Sequence, residues 1–324
     1  MTKREPHSIA ISSFNSNHSS YDIFRPSFTP LIVQPFLVEL ELGRYEKSTG
    51  LYEFDTNKKI VEIACGTGKF TKNLVDNGWT SNLTVVEPSI GMLETFRRNF
   101  PQIKNIQASS FNTTLENTSV DAIIIAQAFH WFADEVSLKE FSRILKPRGK
   151  LGLIWNFDSS SPSQKSNADD CKFYNASSRY FNTLTFKGNN EQVLAQYFAN
   201  QKWNEEVTKY IYSFDINVPQ YRHGKWKQIL LNNPYFESHI SDSFALYDQE
   251  INKDDVWKYW ETRSYITDLS PDKKLEIKKH VEDLIKKYAQ NSSYVDENKR
   301  LLIKPMATHA VVISVKNKNK EYLI

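Results

Sequence analysis

The chain has 324 residues, 40% hydrophobic and 13% aromatic, with a net charge of +3; that suits two domains, or one large domain with insertions, around a sizeable core. So weak and evenly spread a charge argues against a nucleic-acid-binding face, and no apolar run reaches the roughly 20 residues of a transmembrane helix. Two cysteines, Cys65 and Cys171, without metal-ligand spacing argue against a disulfide scaffold and fit a reducing compartment.

Residues 1–20 are polar and rich in Ser and Asn, with neither a signal-peptide apolar region nor an Arg-rich amphipathic pattern. They are expected to be disordered, and the cytoplasm is the expected location. With scattered histidines, no HExxH and no paired CxxC, no metal site is expected.

From 58 to 157, short apolar runs alternate with helical patterns. KIVEIA reads as a buried strand, CGTG as a tight turn, and KFTKNLVDNG as a helix closed by Gly78. NLTVVEP is the next strand, and Ser89 is a candidate N-cap for the helix IGMLETFRRNF. KNIQAS and VDAIIIAQA follow as strands. SLKEFSRIL is amphipathic, with Leu138, Phe141, Ile144 and Leu145 on one face, and stops before Pro147; GKLGLIWNF is another strand. This rhythm predicts an α/β fold with a doubly wound, mostly parallel sheet. The polar stretch 158–170 reads as a flexible loop leading out of the sheet. Beyond it the chain is helical and aromatic, with Trp203, Trp226, Trp257 and Trp260. FESHISDSFALYDQEI reads as a strand region, DDVWKYWETRSYI and the segment opening at Ser270–Pro271 as helices, and ATHAVVISVK as a last strand rich in β-branched residues.

In VEIACGTGKF, Glu62 stands just before a glycine turn, where a purely structural strand would favour an apolar residue. Glycines let backbone approach a ligand, and a helix N-terminus favours negative charge. Glu87 ends the second strand, where an acidic side chain can accept both hydroxyls of a ribose. A ligand-free strand–helix turn is the plain alternative. A Walker A loop is absent because Lys69 is followed by Phe70, and a dinucleotide fingerprint fails because Thr71 stands where a third glycine is needed. A Tyr–xxx–Lys match at Tyr221 and Lys225 lies far beyond the sheet and reads as chance.

VEIACGTGKFT, VVEPSIGML, SVDAIIIAQAFHWF and ILKPRGKLGLIWNF together resemble successive motifs of class I S-adenosylmethionine-dependent methyltransferases, in the type 11-like group that includes trans-aconitate methyltransferase relatives. YDIFRPSF, YRHGKW and RSYITDLS resemble further stretches of that group. The resemblance implies a Rossmann-like, seven-stranded sheet with a helical cap: a cofactor-binding core over 21–157, then the loop, then cap and last strands over 171–324. It implies that S-adenosyl-L-methionine is the cofactor, with Glu62 near its methionine amino end, Ala64, Gly66 and Gly68 beneath it, Glu87 on the ribose, and Ser109 and Ser110 around adenine. Two departures stand out: Ala64 replaces the first glycine of the family loop, and Phe111 stands where a carboxylate often follows the third strand.

By the same resemblance, Gln127 to Trp131 line the methyl-transfer mouth. Trp131 or Phe129 offers an aromatic face to a cation, and His130 orients the acceptor oxygen or takes its proton; core packing is the alternative for each. Tyr21, Arg25, Arg263 and Tyr265 are candidate substrate contacts, as are Arg222 and His223, with surface or structural roles as alternatives. Trp155 and Trp260 are assigned to core packing, with the wall of an apolar pocket as the alternative. The expected function is methyl transfer to an oxygen of a small molecule, with a carboxylate favoured by the resemblance and His130 then an orienting donor. A monomer without nucleic-acid or membrane partners is expected. A catalytically silent relative and a nicotinamide-dependent oxidoreductase are the alternatives; the intact Glu62, Gly66, Gly68 and Glu87 weigh against the first, Thr71 and Glu62 against the second.

Overall fold

The computed structural model describes residues 24–159, 172–174, 199–216, 218–295, 298 and 300–316. The N-terminal segment, Tyr21 and residues 160–170 of the predicted loop lie outside them.

Thr29 opens the first helix, α1 (Pro30–Glu39), with its side chain accepting from Leu31 N and proline at the first turn. A hairpin of β1 (Gly43–Glu46) and β2 (Leu51–Phe54) follows. The main sheet then begins with β3 (Ile60–Ile63), β4 (Leu83–Val86), β5 (Lys104–Ile106), β6 (Val120–Ala126) and β7 (Leu145–Asp158). It is completed by the three-residue β8 (Lys172–Tyr174) and by two long strands, β9 (Phe236–Asn252) and β10 (Leu301–Val315). The spatial order is β5-β4-β3-β6-β7-β10-β9-β8. All neighbours are parallel except that β10 runs antiparallel to both β7 and β9. The seven strands of the expected sheet are therefore present, with β8 added at the outer edge of β9. Winding reverses between β3 and β6, so a crevice opens at their carboxyl ends.

The isoleucine run of β6 is buried on both faces because both are covered. Ala122 and Ile124 join a cluster with Ile32, Phe36, Phe70 and Phe96. Ile123 and Ile125 join the opposite one with Leu138, Phe141, Trp155 and Trp226. That is the pattern a parallel sheet demands. The first face is covered by α1, α2 (Thr71–Asp76) and α3 (Ile90–Asn99), whose N-cap is Ser89. The other face takes α4 (Glu135–Ile144), capped by Asp134 accepting from Ser137 N. Beyond β7 come α5 (Lys202–Tyr212), α6 (Lys225–Leu231), α7 (Val256–Glu261), α8 (Ser264–Thr267) and α9 (Pro271–Tyr288), the last capped by Ser270 as expected. Trp203, Val207, Trp260, Ile277 and Val281 belong to the core shared by α5, α7, α8 and α9, while α6 packs Trp226 and Leu230 into the cluster of Ile123 and Phe141. Trp155 and Trp260 are fully buried, as core residues. Among the described residues, no helix is long and apolar enough to cross a membrane.

Four local expectations change. Leu145 leaves the helix and opens β7 with extended backbone (φ −67, ψ 136), just ahead of Lys146, whose helical conformation Pro147 disfavours. DDVWKYWETRSYI divides into α7 and α8, with Arg263 extended between them (φ −72, ψ 132). The last strand starts at Leu301 instead of Ala307; a buried lysine, Lys304, and Pro305 disguise its first half. Asp158, read as the first residue of the polar loop, is the fully buried last residue of β7.

Candidate active site

The turn from β3 to α2 leaves the sheet with Ala64 (φ 58), Gly66 (φ 58) and Gly68 (φ 97) all in or beyond the left-handed region. Their reasons differ. A Cβ on Gly66 would meet nothing closer than Met92 Sδ at 3.9 Å, so the space above this residue is open to a ligand. A Cβ on Gly68 would fall 2.3 Å from Phe100 Cε2. Gly68 is buried and off the cavity wall, so packing and backbone conformation by themselves require its glycine. Ala64 holds the same conformation with a side chain, at a cost of roughly 1 kcal/mol.

Two carboxylates are buried beside this turn. Glu62 accepts from Thr71 Oγ1 at 2.5 Å, so the residue that breaks a dinucleotide fingerprint positions the acid before the turn. Glu87, at the end of β4, accepts from Gly66 N at 3.0 Å and Ser89 N at 2.9 Å. Burial pushes Glu87 up to about 7, against those two hydrogen bonds. Burial, reinforced by the neighbouring Glu87, pushes Glu62 up to about 8. Cys65 between them is buried, and its thiol is pushed well up by burial and the two acids, which leaves it a poor nucleophile. Ser109, Ser110, Phe111, Pro88 and Met92 continue the wall. Ser110 Oγ shares a 3.0 Å hydrogen bond with Ser137 Oγ.

At the end of β6, Gln127 is a second strained residue (φ 61). Its N–H donates to Ile154 O at 2.8 Å and its Nε2 to Asn156 O at 2.9 Å, which fixes the chain's exit. A single 3-10 turn, Phe129–Trp131, then turns His130 and Trp131 to the cavity. Phe129 is instead fully buried, with its ring 6.0 Å from that of Phe132, and is unavailable to a cation in the cavity. Trp155 Nε1 donates to His130 Nδ1 at 3.3 Å. Burial, then the nearby His223, Arg222 and Arg263, pushes His130 down to about 3. The imidazole is therefore neutral, with its proton on Nε2.

Opposite these segments, residues beyond β7 form a polar wall. Asp158 accepts from Lys304 Nζ at 2.5 Å, Tyr259 Oη at 2.6 Å, Tyr212 Oη at 3.0 Å and Arg263 Nη2. Burial opposes its charge, but the two cations prevail and hold its carboxyl well below the ordinary range. Arg263 Nε and Tyr265 Oη have no hydrogen-bond partner among the described residues. Both residues line the cavity. Arg25 donates from Nε to Thr262 Oγ1 at 2.7 Å and from Nη2 to Thr262 O at 3.2 Å, tying the N-terminal segment to this wall. Arg222 pairs with Asp215, as does His223 at 3.2 Å. Asp158, Tyr212, Tyr259 and Lys304 escaped the sequence reading; the signal was a lysine inside LLIKPM, an otherwise apolar run. Tyr221, read as part of a chance match, also stands on the cavity wall.

These segments enclose one cavity of about 1020 Å³, at the upper end of the range for small-molecule sites. The open space over Gly66, with the buried acids Glu62 and Glu87 beside it, fits a ligand carrying a hydroxylated sugar and a cationic tail. The methyltransferase domain family matches residues 61–153. A methyltransferase-like protein of Schizosaccharomyces pombe is 34% identical over 148 residues, 46% of this chain and 53% of that protein. A methyltransferase of Mycobacterium tuberculosis is 31% identical over 144 residues, 44% of this chain and 52% of that protein. The chain thus spans about half the length of these curated relatives. A structure from Anaeromyxobacter dehalogenans described as a type II methyltransferase aligns with TM-score 0.51 at 14% identity, covering 91% of this chain and 98% of that one, a likeness of fold. Residues 61–153 thus match the methyltransferase domain family, and the sheet around them shares its fold with that solved structure.

Proposed function

We propose that the protein is an S-adenosylmethionine-dependent methyltransferase acting on an oxygen, carboxylate or hydroxyl, of a small molecule, within the type 11 group that includes trans-aconitate methyltransferase relatives. The observation that carries this reading is the pair of buried acids around the open Gly66 turn. An ionised carboxylate offers about four lone-pair sites. Backbone N–H groups occupy two at Glu87, which leaves two for ribose hydroxyls. Glu62 is suited to the cationic amino end, and Ser109, Ser110 and Phe111 to adenine. The cofactor supplies an electrophilic methyl group on a sulfonium.

The rest is alignment by this chain's own groups. His130, neutral and protonated at Nε2, is suited to donate to the acceptor oxygen, and Trp131 presents an aromatic face beside it. Arg263 Nε and Tyr265 Oη are buried donors that an acceptor's anionic or carbonyl oxygen would satisfy. Titration calorimetry tests the reading: S-adenosylmethionine and S-adenosylhomocysteine should bind and NAD should not. Silence with both sulfur nucleosides would overturn it.

A further inference from the structure

On the same cavity wall, residues from three separate elements form one hydrogen-bonded chain. Tyr221, opening the 3-10 turn Tyr221–His223, has its Oη 2.7 Å from His309 Nδ1, and His309 Nε2 lies 2.8 Å from Asp242 Oδ1. His309 belongs to β10 and Asp242 to β9, paired neighbours in the sheet. Lys227 Nζ, from α6, stands 3.5 Å from Asp242 Oδ2. All four line the cavity. An ionised Asp242 can only accept, so His309 carries its proton on Nε2, and its Nδ1 lone pair accepts from the Tyr221 hydroxyl. Burial opposes charge at both inner members. It prevails at His309, which is neutral, whereas at Asp242 the His309 hydrogen bond and Lys227 outweigh it.

The chain is held rigidly. His309 stacks on Phe244 at 4.0 Å and 7°, and Tyr221 lies against Trp226 at 5.9 Å and 16°. The Trp155 indole lies 5.0 Å from Tyr221 and also donates to His130, so one ring braces both polar side chains on the cavity wall. Apolar residues of similar shape would fill this region at little or no cost in stability, because a buried polar chain brings small net stabilisation. The chain is thus placed for a use other than stability.

We infer that Tyr221, His309 and Asp242 form a proton relay, and that the oxygen this protein methylates is therefore the hydroxyl of an alcohol or phenol, not a carboxylate. The inference rests on the methyl-transfer reading above. As the acceptor oxygen forms its bond to the methyl carbon, its proton passes to Tyr221 Oη, and the Tyr221 proton passes to His309 Nδ1. The resulting imidazolium is balanced by Asp242, and the electron pair of the broken carbon–sulfur bond stays on sulfur. After product leaves, the proton returns from His309 through Tyr221 to water. A carboxylate acceptor, with an ordinary pKa near 4, has no proton to give at neutral pH. Tyr221 touches the acceptor; His309 and Asp242 act through it as positioning residues.

The test compares the wild-type full chain with Tyr221→Phe, which keeps the ring packing, and with Asp242→Asn. Each is given a methyl donor labelled at the transferred carbon and two panels: small alcohols and phenols, and carboxylic acids without a hydroxyl. Label should enter the hydroxyl panel, with kcat about 10²–10⁴-fold lower in Tyr221→Phe and S-adenosylhomocysteine affinity unchanged. Nitrogen-edited NMR of the unliganded wild-type protein should find His309 protonated at Nε2, with the Nδ1 resonance moved in Tyr221→Phe. Transfer to the carboxylic acids at equal rates in wild type and Tyr221→Phe, or a His309 protonated at Nδ1, would overturn the relay while leaving methyl transfer standing. Failure of the wild type to bind S-adenosylhomocysteine would instead defeat the reading beneath it.

Discussion

The two sides of the cavity handle buried charge in opposite ways. On the cradle side, Glu62 accepts from a hydroxyl and Glu87 from backbone N–H groups, and burial raises both toward and beyond neutrality. On the opposite wall, Asp158 serves Lys304 and Arg263 together, and Asp242 is set between His309 and Lys227. The first side is incomplete until a ligand supplies hydroxyls and positive charge. The second has its carboxylates already paired, and leaves the donors Arg263 Nε and Tyr265 Oη for an acceptor to satisfy. A site that binds a fixed cofactor and positions an acceptor benefits from both.

The largest expected effect falls on the opposite wall. Asp158→Ala leaves Lys304 and Arg263 buried without their carboxylate, and chemical denaturation should register a loss of about 3–5 kcal/mol. A loss under 1 kcal/mol would mean that the wall does not depend on this charge.

Glu87→Ala should disturb binding instead of folding. The expected loss in cofactor affinity is roughly 1.5–3 kcal/mol, the scale of hydrogen bonds to a charged group, with only part recovered in Glu87→Asp. An unchanged dissociation constant in a variant with an intact circular dichroism spectrum would remove Glu87 from the site.

The raised acids also give the cradle a pH signature. Their folded pKa values, about 7 and about 8, exceed the ordinary value near 4.3. Protonation thus stabilises the unliganded fold: the contribution is complete below about pH 4.3 and is lost as pH rises through 7 and 8. Ribose binding needs Glu87 ionised, and that group alone should raise S-adenosylhomocysteine affinity about tenfold between pH 6 and 8, with Glu62 adding to the rise. Calorimetry at both pH values checks this, and a flat or falling affinity would contradict it.

His130→Asn, which keeps a donor of similar reach, should retain activity within about tenfold, since a neutral histidine with an occupied Nδ1 serves as a donor. A loss of three orders of magnitude would make His130 a base. The smallest effect belongs to the turn: Ala64→Gly relieves a left-handed alanine and should raise stability by about 0.5–1 kcal/mol. Thermal unfolding detects a shift of that size, and destabilisation would show that the Ala64 methyl is needed by its neighbours.

The same division explains what was legible in the sequence. Glu62, Gly66, Glu87 and the His130–Trp131 pair all sit at the carboxyl ends of successive parallel strands, so local motifs and their order in the chain locate them. The strand rhythm revealed the sheet for the same reason. Asp158, Lys304, Asp242 and His309 come from strands distant in sequence, and their meaning lies in cross-strand neighbours that no local spacing records. A lysine in LLIKPM and a histidine in ATHAVVISV are the visible traces: polar residues in runs that otherwise demand burial. Phe129 marks the opposite error: it adjoins cavity residues in sequence, but packing turns its side chain inward.

A crystal structure of the protein grown with S-adenosylhomocysteine tests whether the cavity over Gly66 cradles a sulfur nucleoside. Electron density is expected over the Gly66 turn, with the ribose hydroxyls on Glu87 and the homocysteine end toward Glu62. Density elsewhere in the protein, with the Gly66 turn vacant at saturating ligand, would contradict it.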